Sequence, residues 1–150
     1  MDAIQAYRES EVTSDNPVHL VVLLYDQLLR DLRCALDAFA QRDIQRRCRE
    51  LDHALLVLAQ LQGSLNLQDG GEVAEIIDRF YNLVRDDLLR ASIEDAPALV
   101  EKRWRNILSV REAWLEVERQ QTAPAAKPVT PHDVIDEANE IAKGNSEWKV

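Results

Sequence analysis

The chain has little glycine, few aromatic residues and no long hydrophobic run. Only 4 of its 150 residues are glycine, and runs of β-branched residues are scarce, so helices are favoured over sheets. The longest apolar run, LVVLLY, has six residues, which is too short to cross a bilayer. No signal peptide precedes the first helical pattern. We therefore expect a cytoplasmic protein without a membrane span.

Cysteine and positive charge are also limited. In a cytoplasmic protein Cys34 and Cys48 are expected to be reduced thiols, and small core residues rather than redox groups. The formal net charge is −9, and an acidic chain repels the phosphates of nucleic acids. DNA and RNA are therefore not expected partners.

Motifs for catalysis are missing. The sequence contains no glycine-rich phosphate loop, nucleophile elbow or cysteine-pair metal motif. Glu50 and His53 have the Glu-x-x-His spacing of di-iron helical bundles, but such sites need a second copy of that motif, and the chain has none. We predict that the protein is not an enzyme and uses no cofactor and no metal.

The most informative stretch runs from residue 17 to residue 39. Its apolar residues follow the period of an amphipathic helix, and this line comprises Val21, Leu24, Leu28, Leu32, Ala35 and Phe39. Further apolar residues spread around most of the helix in its first half, namely Val18, Leu20, Val22, Leu23 and Tyr25. A helix that is apolar on most sides must be covered on most sides, either by its own chain or by another.

Three more helical patterns follow. Pro17, after a capping Asn16, starts the first helix, which we expect to end near Gln41; Asp43 is the expected cap of the second helix. The Gly70-Gly71 turn precedes the third helix, and Asp95 is the expected N-terminal cap of the fourth. The predicted fold is all-α, an antiparallel four-helix bundle. A short N-terminal helical segment precedes it, and a C-terminal linker with a short amphipathic helix follows.

The two ends of the chain have apolar residues that need a surface. Ile4 and Tyr7 lie in an otherwise polar N-terminal segment. Residues 120–131 contain three prolines and form a linker, and residues 131–143 form a short amphipathic helix that is marginal alone. We divide the chain into a bundle domain, residues 1–119, and a tail, residues 120–150. The tail helix is expected to dock on the bundle, to bind a partner or to fray.

Several motifs, in order and at the expected separations, resemble the FliS family of flagellar export chaperones. They are Ile4-Gln5-Ala6-Tyr7, Val12 with Ser14 and Pro17, Leu24-Tyr25-Asp26, Gly70-Gly71-Glu72-Val73-Ala74, Tyr81 with Leu88, and Arg111-Glu112-Ala113-Trp114. Three positions depart from the family pattern: Gln27 stands where glycine is common, and Asp86-Asp87 replaces a basic pair. The tail after residue 120 is not part of the resemblance.

The resemblance implies a cytoplasmic chaperone. Such a protein holds the disordered C-terminal segment of flagellin, prevents premature polymerisation and hands flagellin to the export apparatus. Its expected partner-binding residues are Ile4, Tyr7, Val12, Leu20, Leu23 and Tyr81. Ile4 and Tyr7 are either a lid that moves when flagellin binds or a permanent edge of the core. The alternative function is a helical scaffold or dimerisation bundle, in which the free protein is a homodimer and flagellin has no role.

Overall fold

A computed structural model describes residues 17–65, 70–122 and 131–146 of the chain. In these ranges every regular element is an α-helix, as predicted. The helices are α1 (Pro17–Ala40), α2 (Ile44–Gly63), α3 (Gly71–Glu94), α4 (Pro97–Thr122) and α5 (Pro131–Ser146). No helix in the described part of the chain is long and apolar enough to cross a membrane.

The helix boundaries follow from local chemistry. The Asp43 carboxylate accepts the backbone N–H of Arg46 at 3.1 Å and caps α2, as expected. Gly71 begins α3 with φ +57°, a conformation that glycine adopts without steric cost. The prediction for Asp95 was wrong: this residue ends α3 in the left-handed conformation, φ 52°, and its backbone N–H bonds to Ala91. Aspartate tolerates that conformation better than most residues.

Four helices form a closed ring in the order α1, α2, α3, α4, and each helix contacts the two helices beside it in the ring. Short turns make consecutive helices antiparallel. The ring closes between α4 and α1, where Asp26 meets Arg111 and His19 meets Glu118. From the first pair to the second, the residue number rises by seven on one helix and falls by seven on the other. The two helices therefore run antiparallel in one register. The fifth helix, α5, lies outside the ring and packs on α3 and α4.

The interior of the ring is a single apolar core. The predicted line on α1 is confirmed, since Leu24, Leu28, Leu32 and Ala35 are buried there. Tyr25 lies beside them at full burial, and its hydroxyl hydrogen-bonds to that of Tyr81 across the ring at 3.0 Å. Each fully buried aliphatic side chain contributes about 2 kcal/mol of transfer free energy. The core therefore accounts for the surplus apolar surface of α1 on the Leu24–Tyr25 side.

Candidate partner-binding surfaces

The groove between α3 and α4 already holds one amphipathic helix. Val134 and Ala138 of α5 are fully buried, and Ile135 is nearly so. Ile141 extends the same face and packs against the core. The opposite face of α5 carries exposed Asp136. The structure thus shows that the tail helix docks on its own bundle. It lies between α3 and α4, and we call this site the α3–α4 groove.

A buried ion pair joins the two walls of this groove. The Arg103 side chain on α4 is fully buried, and its Nε donates to Asp87 Oδ2 on α3 at 2.7 Å. Its Nη2 lies 2.6 Å from the same oxygen, and its Nη1 donates to Asn106 at 2.8 Å. Asp87 belongs to the acidic pair that departs from the family pattern. Its carboxylate faces α4 rather than solvent, so it acts within the bundle.

Large apolar side chains are also exposed on α2 and α3. Four large hydrophobic side chains are strongly exposed, and we call them the α2–α3 patch: Ile44 at 61%, Leu56 at 58%, Leu89 at 45% and Ile93 at 84%. Arg47 bonds to Asp95 at 2.9 Å and reaches the Ser92 carbonyl. These contacts bring the start of α2, where Ile44 lies, beside the end of α3, where Ile93 lies.

Polar networks border the α2–α3 patch at both ends. At one end Gln62 donates to Asp78 at 3.0 Å and to Asn82 at 2.9 Å, and Arg85 joins the cluster through Asn82 and Gln62. At the other end stands the Arg47–Asp95 pair. An exposed apolar patch with a polar rim is the usual form of a protein-binding surface.

Side-chain contacts join α1 and α4 along their seam. Asp26 accepts from Arg111 Nε at 2.5 Å, and the Arg33 guanidinium lies 4.8 Å from the Trp104 ring centre. Asp26 and Arg111 both belong to motifs that carry the family resemblance. Their contact joins two helices of the bundle.

Tyr81 is an internal residue in this structure. It is 2% exposed, and its ring stacks edge-on with that of Tyr25 at 6.3 Å between centroids. Burial raises the pKa of Tyr25 to about 12 and holds the pKa of Tyr81 well above its ordinary value. A direct contact between Tyr81 and a partner therefore requires the bundle to open.

The other predicted contact residues fall into two groups. Leu20 is 8% exposed, while Leu23 is half-buried and accessible from outside. Ile4, Tyr7 and Val12 lie outside the described residues. Their roles as partner contacts, and the lid formed by the N-terminal segment, stay predictions. The α2–α3 patch was missed for two reasons. Leu56, Leu89 and Ile93 stand outside the regular apolar lines of their helices, whereas Ile44 has the spacing of a buried position, four residues before Cys48, and was expected in the apolar line of α2. That expectation for Ile44 was wrong, since its side chain is 61% exposed at the first turn of the helix.

His53, which belongs to the Glu-x-x-His motif, pairs with a carboxylate of the bundle. Its Nδ1 lies 2.5 Å from Oδ2 of Asp31 on α1, and Gln27 donates to the other carboxylate oxygen at 2.7 Å. Burial raises the pKa of Asp31, and these two hydrogen bonds partly offset that effect. Gln27, a departure from the family pattern, thus supports a buried carboxylate. Within the described ranges, no three metal-ligating side chains converge.

Comparisons with known proteins agree with the motifs. The sequence model of the family "Flagellar protein FliS" matches residues 1–121. A flagellar secretion chaperone FliS of Campylobacter jejuni is 26% identical over 120 residues, covering 80% of this chain and 94% of the relative. Its counterpart in Vibrio cholerae is 23% identical over 119 residues, covering 77% and 88%. That of Bacillus subtilis is 24% identical over 109 residues, covering 73% and 80%.

Proposed function

The chain belongs to the FliS family and is a flagellar export chaperone rather than an enzyme, and on that premise we propose that its client is flagellin. In this proposal the protein binds the disordered C-terminal segment of flagellin in the cytoplasm. It thereby prevents premature polymerisation and hands flagellin to the flagellar export apparatus.

The observation that carries the proposal is the docked helix in the α3–α4 groove. The bundle seats an amphipathic helix there through Val134, Ile135 and Ala138. Flagellin's C-terminal segment, as the family resemblance implies, carries apolar helical faces, and a groove of this kind covers such a face. Helix-in-groove docking is a common way to recognise a segment of this kind.

The α2–α3 patch supports the same proposal. Ordering a disordered segment costs free energy, so a chaperone needs a large contact surface to offset that cost. Ile93 at 84% exposed and Leu89 at 45% exposed lie on α3. The α3–α4 groove uses the same helix. One extended client can therefore follow α3 and contact both surfaces.

Isothermal titration calorimetry with a flagellin C-terminal peptide tests the proposal. We expect a 1:1 complex with a negative heat-capacity change, because apolar surface is buried on both sides. A matched control peptide has the same composition in scrambled order, which removes the apolar helical face. The full chain should also delay filament assembly when mixed with intact flagellin. Equal binding of the two peptides, or no binding of either, would refute a flagellin-specific role.

The alternative function, a dimerisation scaffold, draws on the α2–α3 patch alone. Leu56 and Ile93 are exposed enough to meet a second copy of the same patch. Light scattering of the free protein across concentrations distinguishes the two. A dimer that persists when the flagellin peptide is added in excess, with no peptide bound, favours the scaffold. A monomer, or a dimer that the peptide dissociates, favours the chaperone.

A further inference from the structure

Helix α5 is held to the bundle by a small apolar face. Val134 and Ala138 stand one turn apart and are fully buried, with Ile135 beside them at 7% exposed. Asp136 and Glu140 point away from the bundle and are exposed. The seated face is therefore narrow, with small and β-branched side chains between α3 and α4. An amphipathic helix of another protein with a similar face fits the same groove.

This helix stands beyond the family-like part of the chain. The family match ends at residue 121, and α5 begins at Pro131. Residues 123–130 connect it to α4, and their sequence contains Pro124 and Pro128. A connector of this length keeps α5 near its groove at an effective concentration in the millimolar range. A few apolar side chains therefore suffice to seat it, and its release leaves the four-helix ring complete.

We infer that α5 is a tethered competitor that covers a client-binding surface, the α3–α4 groove, until a client helix displaces it. The inference rests on the proposed function, in which the client is the C-terminal segment of flagellin. Both occupants are amphipathic helices, and one groove seats one of them at a time. The apparent affinity for the client is then reduced by the fraction of molecules whose groove is free.

The test compares three full-length chains. In the first, Val134→Asp and Ala138→Asp place charges on the seated face and undock α5. In the second, Asp136→Ala and Glu140→Ala change the exposed face of the same helix as a matched control. The third is the wild type. We expect the flagellin C-terminal peptide to bind the undocked chain about tenfold or more tightly than the other two chains. The reason is that α5 no longer occupies the α3–α4 groove in any of the undocked molecules.

Two further measurements extend the test, and the first of them uses only the wild-type chain and does not depend on how well the undocked chain folds. Amide hydrogen exchange on the wild-type chain should show residues 131–146 losing protection when the flagellin peptide binds, while α1 to α4 keep theirs. A synthetic peptide of residues 131–146 should bind the undocked chain and compete there with the flagellin peptide. Circular dichroism checks that the undocked chain keeps the helix content of α1 to α4, so that any loss stays within the 16 residues of α5.

The outcomes separate the inference from the proposed function. Equal flagellin affinity of all three chains, or an α5 that stays protected in the complex, overturns the inference and leaves the chaperone function standing. Failure of the 131–146 peptide to bind the undocked chain also overturns it. A flagellin peptide that binds none of the three chains overturns both the inference and the proposed client.

Discussion

Removing one partner of the buried Asp87–Arg103 pair should destabilise the protein severely. The Arg103 side chain has no exposure and that of Asp87 only 9%, so water cannot replace a lost partner. Asp87→Ala leaves a buried guanidinium without its carboxylate, which costs about 3–5 kcal/mol of unfolding free energy. A domain of this kind has about 5–15 kcal/mol in total. The variant therefore approaches the limit of stability.

Replacing both partners should have a different result. In Asp87→Leu with Arg103→Met, no charge is buried and the volume between α3 and α4 remains filled. Such replacements range from neutral to about 1–4 kcal/mol stabilising, because the cost of removing two charges from water disappears. The double variant should therefore unfold near the wild-type midpoint or above it, while each single variant unfolds far below.

Urea denaturation followed by far-ultraviolet circular dichroism measures these differences. A loss of about 4 kcal/mol lowers the midpoint by about 2 M when the urea slope is about 2 kcal/mol per M. The control is Glu101→Ala, which removes the partner of Arg105 in an exposed pair with an N–O distance of 2.8 Å. That pair should contribute at most about 1 kcal/mol.

Two results would contradict this reasoning. If Asp87→Ala costs no more than Glu101→Ala, the Asp87–Arg103 pair is not desolvated in solution. If the double variant, which buries no charge, is as unstable as Asp87→Ala, the effect does not come from an uncompensated charge. A double-mutant cycle over the wild type, Asp87→Leu, Arg103→Met and the double variant gives the coupling energy.

Three further measurements test other features. Asp43→Ala should lower the unfolding free energy by about 1 kcal/mol because it removes the cap of α2; an unchanged urea midpoint would contradict this. Leu89→Asp with Ile93→Asp should weaken flagellin-peptide binding at least about tenfold without moving the midpoint, since both side chains are exposed; unchanged affinity would exclude the α2–α3 patch from the binding surface. The free energy of unfolding should fall from about pH 10 to pH 12, because tyrosine ionises there in the unfolded chain while burial keeps Tyr25 and Tyr81 protonated in the folded one. The fall is up to about 1.4 kcal/mol per pH unit for each buried tyrosine. Tyr25→Phe with Tyr81→Phe should flatten that profile in urea titrations, and an equally steep fall would refute the assignment.

The bundle could be predicted from sequence because its signals are local. The first helix was expected from Pro17 to about Gln41 and runs from Pro17 to Ala40. Its start depends on proline and its buried face on spacings of three and four residues, all within one segment. The same holds for the cap at Asp43. Asp95 was misassigned because aspartate suits both an N-terminal cap and a left-handed helix end, and the pattern does not distinguish them.

The ion pair was missed because sequence patterns count charged residues as exposed. A signal was nevertheless present. Arg103 stands three residues after Val100 and four before Ile107, within the buried line of α4. Asp87 holds the equivalent position on α3, between Val84 and Ala91. Two opposite charges at apolar positions of adjacent helices indicate a buried pair, whereas either charge alone indicates nothing.

The residues that identify the family are largely those that hold the bundle together. Tyr25 meets Tyr81 across the core, and Asp26 meets Arg111 where the ring closes. Residues that are buried in such contacts specify the architecture, and they leave the choice of client to exposed positions. We therefore expect differences in client preference between this chain and its relatives to follow the α2–α3 patch and the helix beginning at Pro131. Exchanging exposed patch residues between relatives should then change which flagellin is bound, whereas exchanging Tyr25 or Tyr81 should change stability alone.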